Sequence, residues 1–189
     1  MKKIILIISC LLILLTGCTA KDNGDSVENS APAATYIGEG QMTVLRHLIS
    51  SNAFLVEEVF VESHLPTETG KDITNENGTF APVVSEKIKS YNELVQIVKS
   101  TYSAESAAKI LADFNCYTDI DGKLYFNTKA PASDAKNYDW SNPEIEAVSV
   151  ADGTYTLKVT VKTEKGFEHD FDVIAKNVDG NIRLENIYY

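Results

Sequence analysis

The fold is decided by the segment TYTLKVTVKTEKGFEHDFDVIAK, residues 154–176. Its first half places Tyr155, Leu157 and two valines at every second position, with threonine and lysine between them. Its second half repeats the alternation around Phe171 and Val173, and the sequence EKG separates the halves. One apolar face and one polar face are typical of an antiparallel sheet. The segment therefore predicts two strands, 154–163 and 167–176, joined by a hairpin.

The flanking sequence extends this hairpin into a four-stranded meander. Residues 144–150 and 181–188 are two further candidate strands, and Asp-Gly turn pairs separate them from the hairpin. Between 130 and 143 the chain is polar apart from Trp140, which predicts a connection ahead of the meander.

The sequence between residues 40 and 62 has a helical period. Its apolar side chains recur three or four residues apart, which predicts a long amphipathic helix. The triplet at 52–54 blurs this period, and residues 55–61 can also be interpreted as a strand.

The next segments predict short extended pieces. Residues 67–78 are polar and contain two glycines, as in a loop or hairpin. Residues 79–84 predict a short strand, which Pro82 restricts to a sheet edge or a loop because proline has no N–H to donate. Asp121-Gly122 predicts a second hairpin further along the chain.

Two more helices are predicted from their first residues. Ser90 and Glu93 have the spacing of a capping box, and Ser103 is a candidate cap for the following helix. Helices followed by a meander indicate an α+β fold in which the helices pack on one face of an antiparallel sheet.

The beginning of the chain has the pattern of a bacterial lipoprotein signal. Lys2 and Lys3 provide a positive start, and the apolar run that follows is shorter than the roughly 20 residues that span a bilayer. The segment LTGC, residues 15–18, resembles the bacterial lipobox, in which the cysteine receives a diacylglyceryl group and becomes the first residue after cleavage. We therefore expect Cys18 to be lipid-modified.

The residues after Cys18 predict a flexible tether, because they are rich in Gly, Ser, Asn and Pro and have almost no bulky apolar side chain. The expected organisation is a signal peptide at 1–17, a tether at 18–38 and a folded α+β domain at 39–189. The lipid would hold this domain outside the cytoplasm, on the cell membrane, and would be its only contact with the membrane.

The charge of the chain restricts its partners. It has 17 Lys+Arg and 27 Asp+Glu, and loss of Lys2 and Lys3 with the signal peptide leaves 15 basic against 27 acidic residues, a formal net charge of −12. Such a surface argues against nucleic acid and against adsorption to anionic lipid. It favours a basic protein partner, or it simply keeps the protein soluble.

Few residues suggest catalysis. Cys10 would leave with the signal peptide and Cys18 would be acylated, so Cys116 has no disulfide partner and is expected to be a small buried side chain rather than a nucleophile. The three histidines, at 47, 64 and 169, lack metal-ligand spacing. We therefore expect no enzymatic activity, no metal and no cofactor.

Two groups of residues suggest a protein interface. One is an acidic cluster, and the other is a set of aromatic residues, Tyr138, Trp140, Tyr188 and Tyr189, that would flank a groove as exposed side chains. Aromatic rings supply contact area and carboxylates steer the encounter. The alternative is an ordinary solvated acidic surface. The candidate partner-binding residues are Glu57, Glu58, Glu62, Glu68, Asp72 and Trp140.

The middle of the chain resembles a known family. The segment VSEKIKSYNEL, residues 84–94, leads into STYS at 100–103 and then DGKLY at 121–125. This order is similar to that in the IseA family of secreted bacterial inhibitors of peptidoglycan DL-endopeptidases. The resemblance implies a two-lobed α+β protein with an acidic cleft that binds the catalytic domain of NlpC/P60-type cysteine peptidases. The lipid anchor is a departure, because the best-known members are freely secreted.

A different class of function remains open. Helices packed on a curved antiparallel sheet, as in folds like nuclear transport factor 2 or cystatin, often enclose an apolar pocket for a small ligand. A closed apolar cavity would favour such an accessory lipoprotein, whereas an open acidic cleft would favour the inhibitor. An enzyme would need Cys116, an imidazole and a carboxylate in contact at an open pocket.

Overall fold

The computed structural model describes residues 36–131 and 138–189. The predicted signal peptide, Cys18 and nearly all of the predicted tether lie outside these residues. The described part has the predicted α+β fold, with helices ahead of the meander and two antiparallel sheets. No described helix is both long enough and apolar enough to cross a membrane. Ile37 is already buried, so the core begins inside the segment predicted as tether.

The long N-terminal helix is confirmed, but it changes its winding. Helix α1 spans Glu39–Phe54 and continues directly into a π-helical turn, Leu55–Phe60. The strand interpretation of 55–61 is therefore wrong. A π turn contains more residues than an α-helical turn, so the spacing of apolar residues that face the core changes there. The pairs at 55–56 and 59–60 are both buried.

The two capped helices are also confirmed. Helix α2 spans Tyr91–Thr101, and the Ser90 hydroxyl accepts from the Glu93 N–H at 3.2 Å. The Glu93 carboxylate reaches back to the N–H of Lys89, one residue earlier than in a standard capping box. Helix α3 spans Ala104–Asp113 after Ser103, although the Ser103 hydroxyl bonds to a neighbouring serine rather than to the backbone.

The first sheet joins two distant parts of the chain. Its strands pair in the order β1-β2-β4-β3 and have the bounds β1 Ile73–Asn75, β2 Gly78–Pro82, β3 Tyr117–Ile120 and β4 Lys123–Asn127. The expectation that Pro82 restricts its segment to an edge is wrong, because β2 lies inside this sheet. The proline fits there as the last strand residue, where its carbonyl accepts from the Glu68 N–H at 2.9 Å and no N–H is required.

The second sheet is the predicted meander. It pairs in sequence order, and its strands are β5 Tyr138–Ala151, β6 Thr154–Thr163, β7 Glu168–Val178 and β8 Asn181–Leu184. The Asp-Gly pairs between strands adopt positive φ, for example 47° at Asp152 and 73° at Gly153, as a two-residue hairpin requires. Phe167, the first residue of the predicted strand 167–176, lies before β7 and is 69% exposed.

Strand β5 begins earlier than expected and contains a large bulge. Residues 130–143 are therefore wrongly predicted as one connection, since Tyr138 and Asp139 already pair with β6. Pairing then resumes at Glu144, so that four residues, 140–143, stand opposite a single residue of β6, Val161. Bulges of this kind redirect side chains. Here the bulge carries Trp140 towards the first helix.

One buried amide connects the helices to the C-terminal segment. Asn52 is 1% exposed, and its side-chain Nδ2 donates to the Tyr188 carbonyl at 3.0 Å. Its Oδ1 accepts from the Tyr102 hydroxyl at 2.9 Å and from the Tyr188 N–H at 3.0 Å. Both polar atoms of this amide have partners, so it fixes α1 relative to α2 and the chain end, and with them the position of the end of α1.

Candidate functional site

An open groove of about 530 Å³ lies between the first helix and the bulge of β5. The end of α1 and the π turn form one side, and the bulge forms another. Both apolar and charged side chains contribute to its lining, including Phe54, Glu57, Glu58, Lys87, Ile97 and Trp140. Three of the six predicted partner-binding residues therefore come together here: Glu57, Glu58 and Trp140.

Two carboxylates fix the start of β5. Glu57 accepts from the Trp140 N–H at 3.1 Å, and Glu62 accepts from the Tyr138 N–H at 3.1 Å. Backbone groups at a bulge or strand end lack ladder partners, and these carboxylates supply them. Glu57 and Glu62 thus have a structural task in addition to their charge.

Glu58 is neutralised in the groove by a single lysine. Lys87 Nζ lies 2.6 Å from both carboxylate oxygens and 4.9 Å from the centre of the Phe54 ring. Both charged side chains are roughly half exposed, so the pair stabilises the fold by at most about 1 kcal/mol. Lys87 belongs to the segment that resembles the IseA family.

Trp140 is buried, so the expectation of an exposed aromatic is wrong. It is 3% exposed and stacks on Phe171 with ring centres 5.1 Å apart. Its indole Nε1 is buried and has no hydrogen-bond partner among the described residues. A buried donor without an acceptor is costly and uncommon in native structures.

The other aromatic residues do not flank this groove. Tyr138 is buried and stacks on His169 at 4.7 Å, while Tyr188 is half-buried and bonds to the backbone of Ile174. Tyr189 is 43% exposed but lies against Phe114 at a different depression. The prediction that all four share one groove is wrong, because the bulge redirects only Trp140.

The acidic cluster also divides. Glu68 pairs with Lys71 at 2.7 Å in the loop before β1, and Asp72 is exposed in the same loop. Neither residue lines the groove. That Glu68 and Asp72 bind a partner stays a prediction.

The surroundings of Glu62 are strongly acidic. Burial raises the pKa of its carboxyl, and the charges of Glu57, Glu164 and Asp139 raise it further, against the lowering effect of the Tyr138 N–H. Negative potential is therefore concentrated beside the start of β5.

A second cavity, of about 290 Å³, is lined by a thiol, an imidazole and a carboxylate: Cys116, His64 and Glu62. No hydrogen bond joins these three among the described residues. The thiol instead donates to the Phe114 carbonyl at 3.5 Å, and His64 stacks flat on Phe126 at 4.2 Å. Burial raises the pKa of the Cys116 thiol to about 11, the opposite of what a nucleophile needs. No group of metal-binding side chains forms within 36–131 and 138–189.

Nothing in the sequence indicates that Lys87 and Phe54 line the groove, because neither residue belongs to a motif for a binding site. The burial of Trp140 had a signal, since Tyr138 and Trp140 alternate with Asp139 and Ser141 in the pattern of a strand.

Comparison with known protein families finds no model that matches the chain, and comparison with curated proteins finds no match either. The resemblance to the IseA family accordingly rests on the residues quoted between 84 and 125. In the structure they lie in the segment before α2, in α2, at the residues between α2 and α3, and in the β3–β4 hairpin.

Proposed function

We propose that this protein is a lipid-anchored, exported inhibitor that binds the catalytic domain of an NlpC/P60-type cell-wall peptidase and performs no chemistry itself. The observation that carries the proposal is the open groove between the π turn and the β5 bulge. It combines carboxylates at Glu57 and Glu58 with apolar surface from Phe54 and Ile97. This combination suits a protein partner, in which charge steers association and apolar contacts hold the complex.

The overall charge supports the same partner class. Beyond the signal peptide the chain has a formal net charge of −12, so it attracts a basic surface and repels nucleic acid and anionic lipid. The segment LTGC, residues 15–18, supports a diacylglyceryl anchor at Cys18 and a position on the outer face of the cell membrane.

The shape of the groove favours a protein over a small ligand. Sites for small molecules are usually concave enough to bury most of the ligand. The groove is open, the cavity beside Phe60, Phe114 and Cys116 has a volume of only about 150 Å³, and the cavity of about 290 Å³ has Glu62 and His64 in its lining and so is not apolar throughout. An enclosed ligand of ordinary size therefore has less support than a docked protein surface.

Association kinetics test this proposal. The purified catalytic domain of an NlpC/P60-type peptidase would be immobilised, and the association rate of the inhibitor measured at low and high salt. Substituting both Glu57→Gln and Glu58→Gln retains acceptors for the Trp140 N–H and Lys87 while removing two charges. We expect association at low salt to slow by roughly two- to ten-fold, with a weaker salt dependence.

A matched pair outside the groove provides the control. Glu76→Gln with Glu105→Gln removes the same charge from two exposed positions that neither line the groove nor belong to the candidate binding residues, and it should change the rate less. No association with any such peptidase, at any salt concentration, would refute the proposed function.

A further inference from the structure

The indole nitrogen of Trp140 identifies the part of the groove that is incomplete. Trp140 is 3% exposed, yet its Nε1–H has no acceptor among the residues that the structure describes. Natural proteins rarely leave such a donor unpaired unless a ligand, water or partner supplies the acceptor. Because Trp140 lines the groove, a molecule bound there is the candidate source.

The Glu57 carboxylate lines the groove together with Trp140 and has one unused oxygen. Glu57 uses Oε1 to accept from the Trp140 backbone N–H, and its Oε2 has no hydrogen-bond partner in the described part of the chain. Glu58, by contrast, has both oxygens occupied by Lys87. The residues that line the groove therefore include one unused donor, the buried Trp140 Nε1–H, and one unused anionic acceptor, Glu57 Oε2.

We propose that the groove binds an extended peptide segment of the partner protein that carries a lysine or arginine, with a backbone carbonyl accepting from Trp140 Nε1–H and the cationic side chain pairing with Glu57. This inference rests on the proposed function and names its contact chemistry. A peptide fits because each residue brings a carbonyl, and the basic side chain fits because the surrounding charge is negative.

The apolar part of the groove supports a polypeptide occupant. Phe54 and Ile97 would contact the aliphatic stem of a lysine or arginine while its charged end reaches the carboxylate. The indole nitrogen is covered, so a carbonyl reaches it only after a lining side chain moves.

The chain provides its own reporter, because Trp140 is its only tryptophan. The indole N–H therefore gives one resonance in a ¹H–¹⁵N spectrum of the full protein. Three capped nine-residue peptides of Gly, Ser and Ala would be titrated. They differ at two positions, which are Lys or Arg in the first peptide, Gln in the second and Glu in the third. We expect a saturable downfield shift of the indole proton with the basic peptide and much weaker effects with the other two.

Two variants separate the two contacts. Glu57→Gln retains the acceptor for the Trp140 backbone N–H and should lower the affinity for the basic peptide roughly three- to ten-fold. Replacing Trp140 with benzothienylalanine, which has the same shape without the N–H, should weaken peptide binding about five-fold; because this variant has no indole resonance, calorimetric titration would measure the affinities of both variants and of the unaltered protein. The free variant should melt at the same temperature or higher, since an unpaired buried donor is gone.

Several results would overturn the inference. The first is an indole proton whose chemical shift no peptide changes. The second is equal affinity for all three peptides, and the third is an affinity for the basic peptide that neither variant changes. A lower melting temperature of the benzothienylalanine variant with unchanged peptide binding would assign the N–H to an internal water instead.

The peptidase assay separates this inference from the proposed function. If the peptidase still binds with full affinity to Glu57→Gln and to the benzothienylalanine variant, the function stands and this contact is wrong. If the basic peptide binds but no peptidase does, the groove chemistry stands and the proposed partner is wrong.

Discussion

Asn52 is the residue on which the helical wall of the groove depends. Substituting Asn52→Ala would leave the buried Tyr102 hydroxyl and two backbone groups of Tyr188 without partners. We expect this to lower the free energy of unfolding by about 3 kcal/mol, or roughly 6–12 °C in melting temperature. Thermal unfolding followed by circular dichroism would measure the loss.

The neighbouring Ser51 gives a matched control. Its hydroxyl bonds only to the His47 carbonyl within the same helix, so Ser51→Ala should change stability by less than about 0.5 kcal/mol. Equal stability of the Asn52→Ala and Ser51→Ala variants would contradict the role of Asn52.

Cys116 is the residue at which the proposal that the protein performs no chemistry can be tested directly. Burial raises the pKa of its thiol to about 11, so little thiolate exists at pH 8. We expect iodoacetamide to modify Cys116 roughly ten- to a hundred-fold more slowly than a free cysteine peptide, followed at that site by mass spectrometry. Modification faster than the free peptide would indicate an activated thiol and favour an enzyme.

Single residues of the site could be predicted only in part. The sequence predicts a group of acidic residues, but it does not predict that Glu58 pairs with Lys87, because Lys87 lies 29 positions away along the chain. The sequence predicts Trp140 as an exposed interface residue, and its predicted exposure is wrong. A bulge that only strand pairing reveals places it in the wall of the groove.

At the scale of elements, Glu62 connects the end of the π turn to β5 at an electrostatic cost. Burial, with the nearby charges of Glu57, Glu164 and Asp139, raises the pKa of Glu62 above its ordinary value. The folded state then binds this proton more tightly than the unfolded state, so the stability contribution of Glu62 falls as pH rises from about 4.5 through the raised pKa.

Glu62→Gln should therefore stabilise the protein at pH 7, because the amide still accepts from the Tyr138 N–H and carries no charge. The gain should be less than about 1 kcal/mol, since solvent screens this partly exposed group. It should shrink as pH falls through the raised pKa of Glu62 towards about 4.5, below which the carboxyl is neutral in both the folded and the unfolded state. Urea unfolding at pH 4 and pH 7 would measure both values, with Glu68→Gln as control. Destabilisation of equal size at both pH values would contradict this account.

The elements with local signals were predicted well. The Ser90 cap and the Asp-Gly hairpins depend on a few adjacent residues, and both are present in the structure. The errors fall where distant segments decide the outcome. Pro82 lies inside a sheet because β4 pairs with β2 from 43 positions along the chain, as in the pair of Pro82 with Tyr125.

At the scale of the whole molecule, the proposed lipid anchor makes a prediction about location. Cys18→Ala should move the protein from the membrane fraction to the culture medium, because it removes the thiol that would carry the diacylglyceryl group. Two acyl chains hold a protein stably on a bilayer. Fractionation with immunoblotting would measure the shift.

Cys10→Ala is the matched control for the anchor, since Cys10 lies in the apolar part of the predicted signal peptide and should be dispensable. Retention of the Cys18→Ala protein in the membrane fraction, at the level of the unaltered chain, would contradict lipid attachment at Cys18.

The α+β class could be predicted for the whole molecule, whereas its division into two sheets could not. The meander has short turns and clear alternation, so its order follows from the sequence. The first sheet pairs 73–82 with 117–127 across two helices, and neither segment carries a signal for the other. The groove could not be predicted for the same reason, because it forms where segments that are distant in sequence meet.

The proposed action of this protein is to restrain a cell-wall peptidase by binding it. The most direct test is the rate at which an NlpC/P60-type peptidase hydrolyses purified cell wall as the concentration of this protein increases. We expect a saturable fall of that rate towards zero, with a higher half-inhibitory concentration for the Glu57→Gln, Glu58→Gln variant. Hydrolysis that continues unchanged at saturating protein would contradict it.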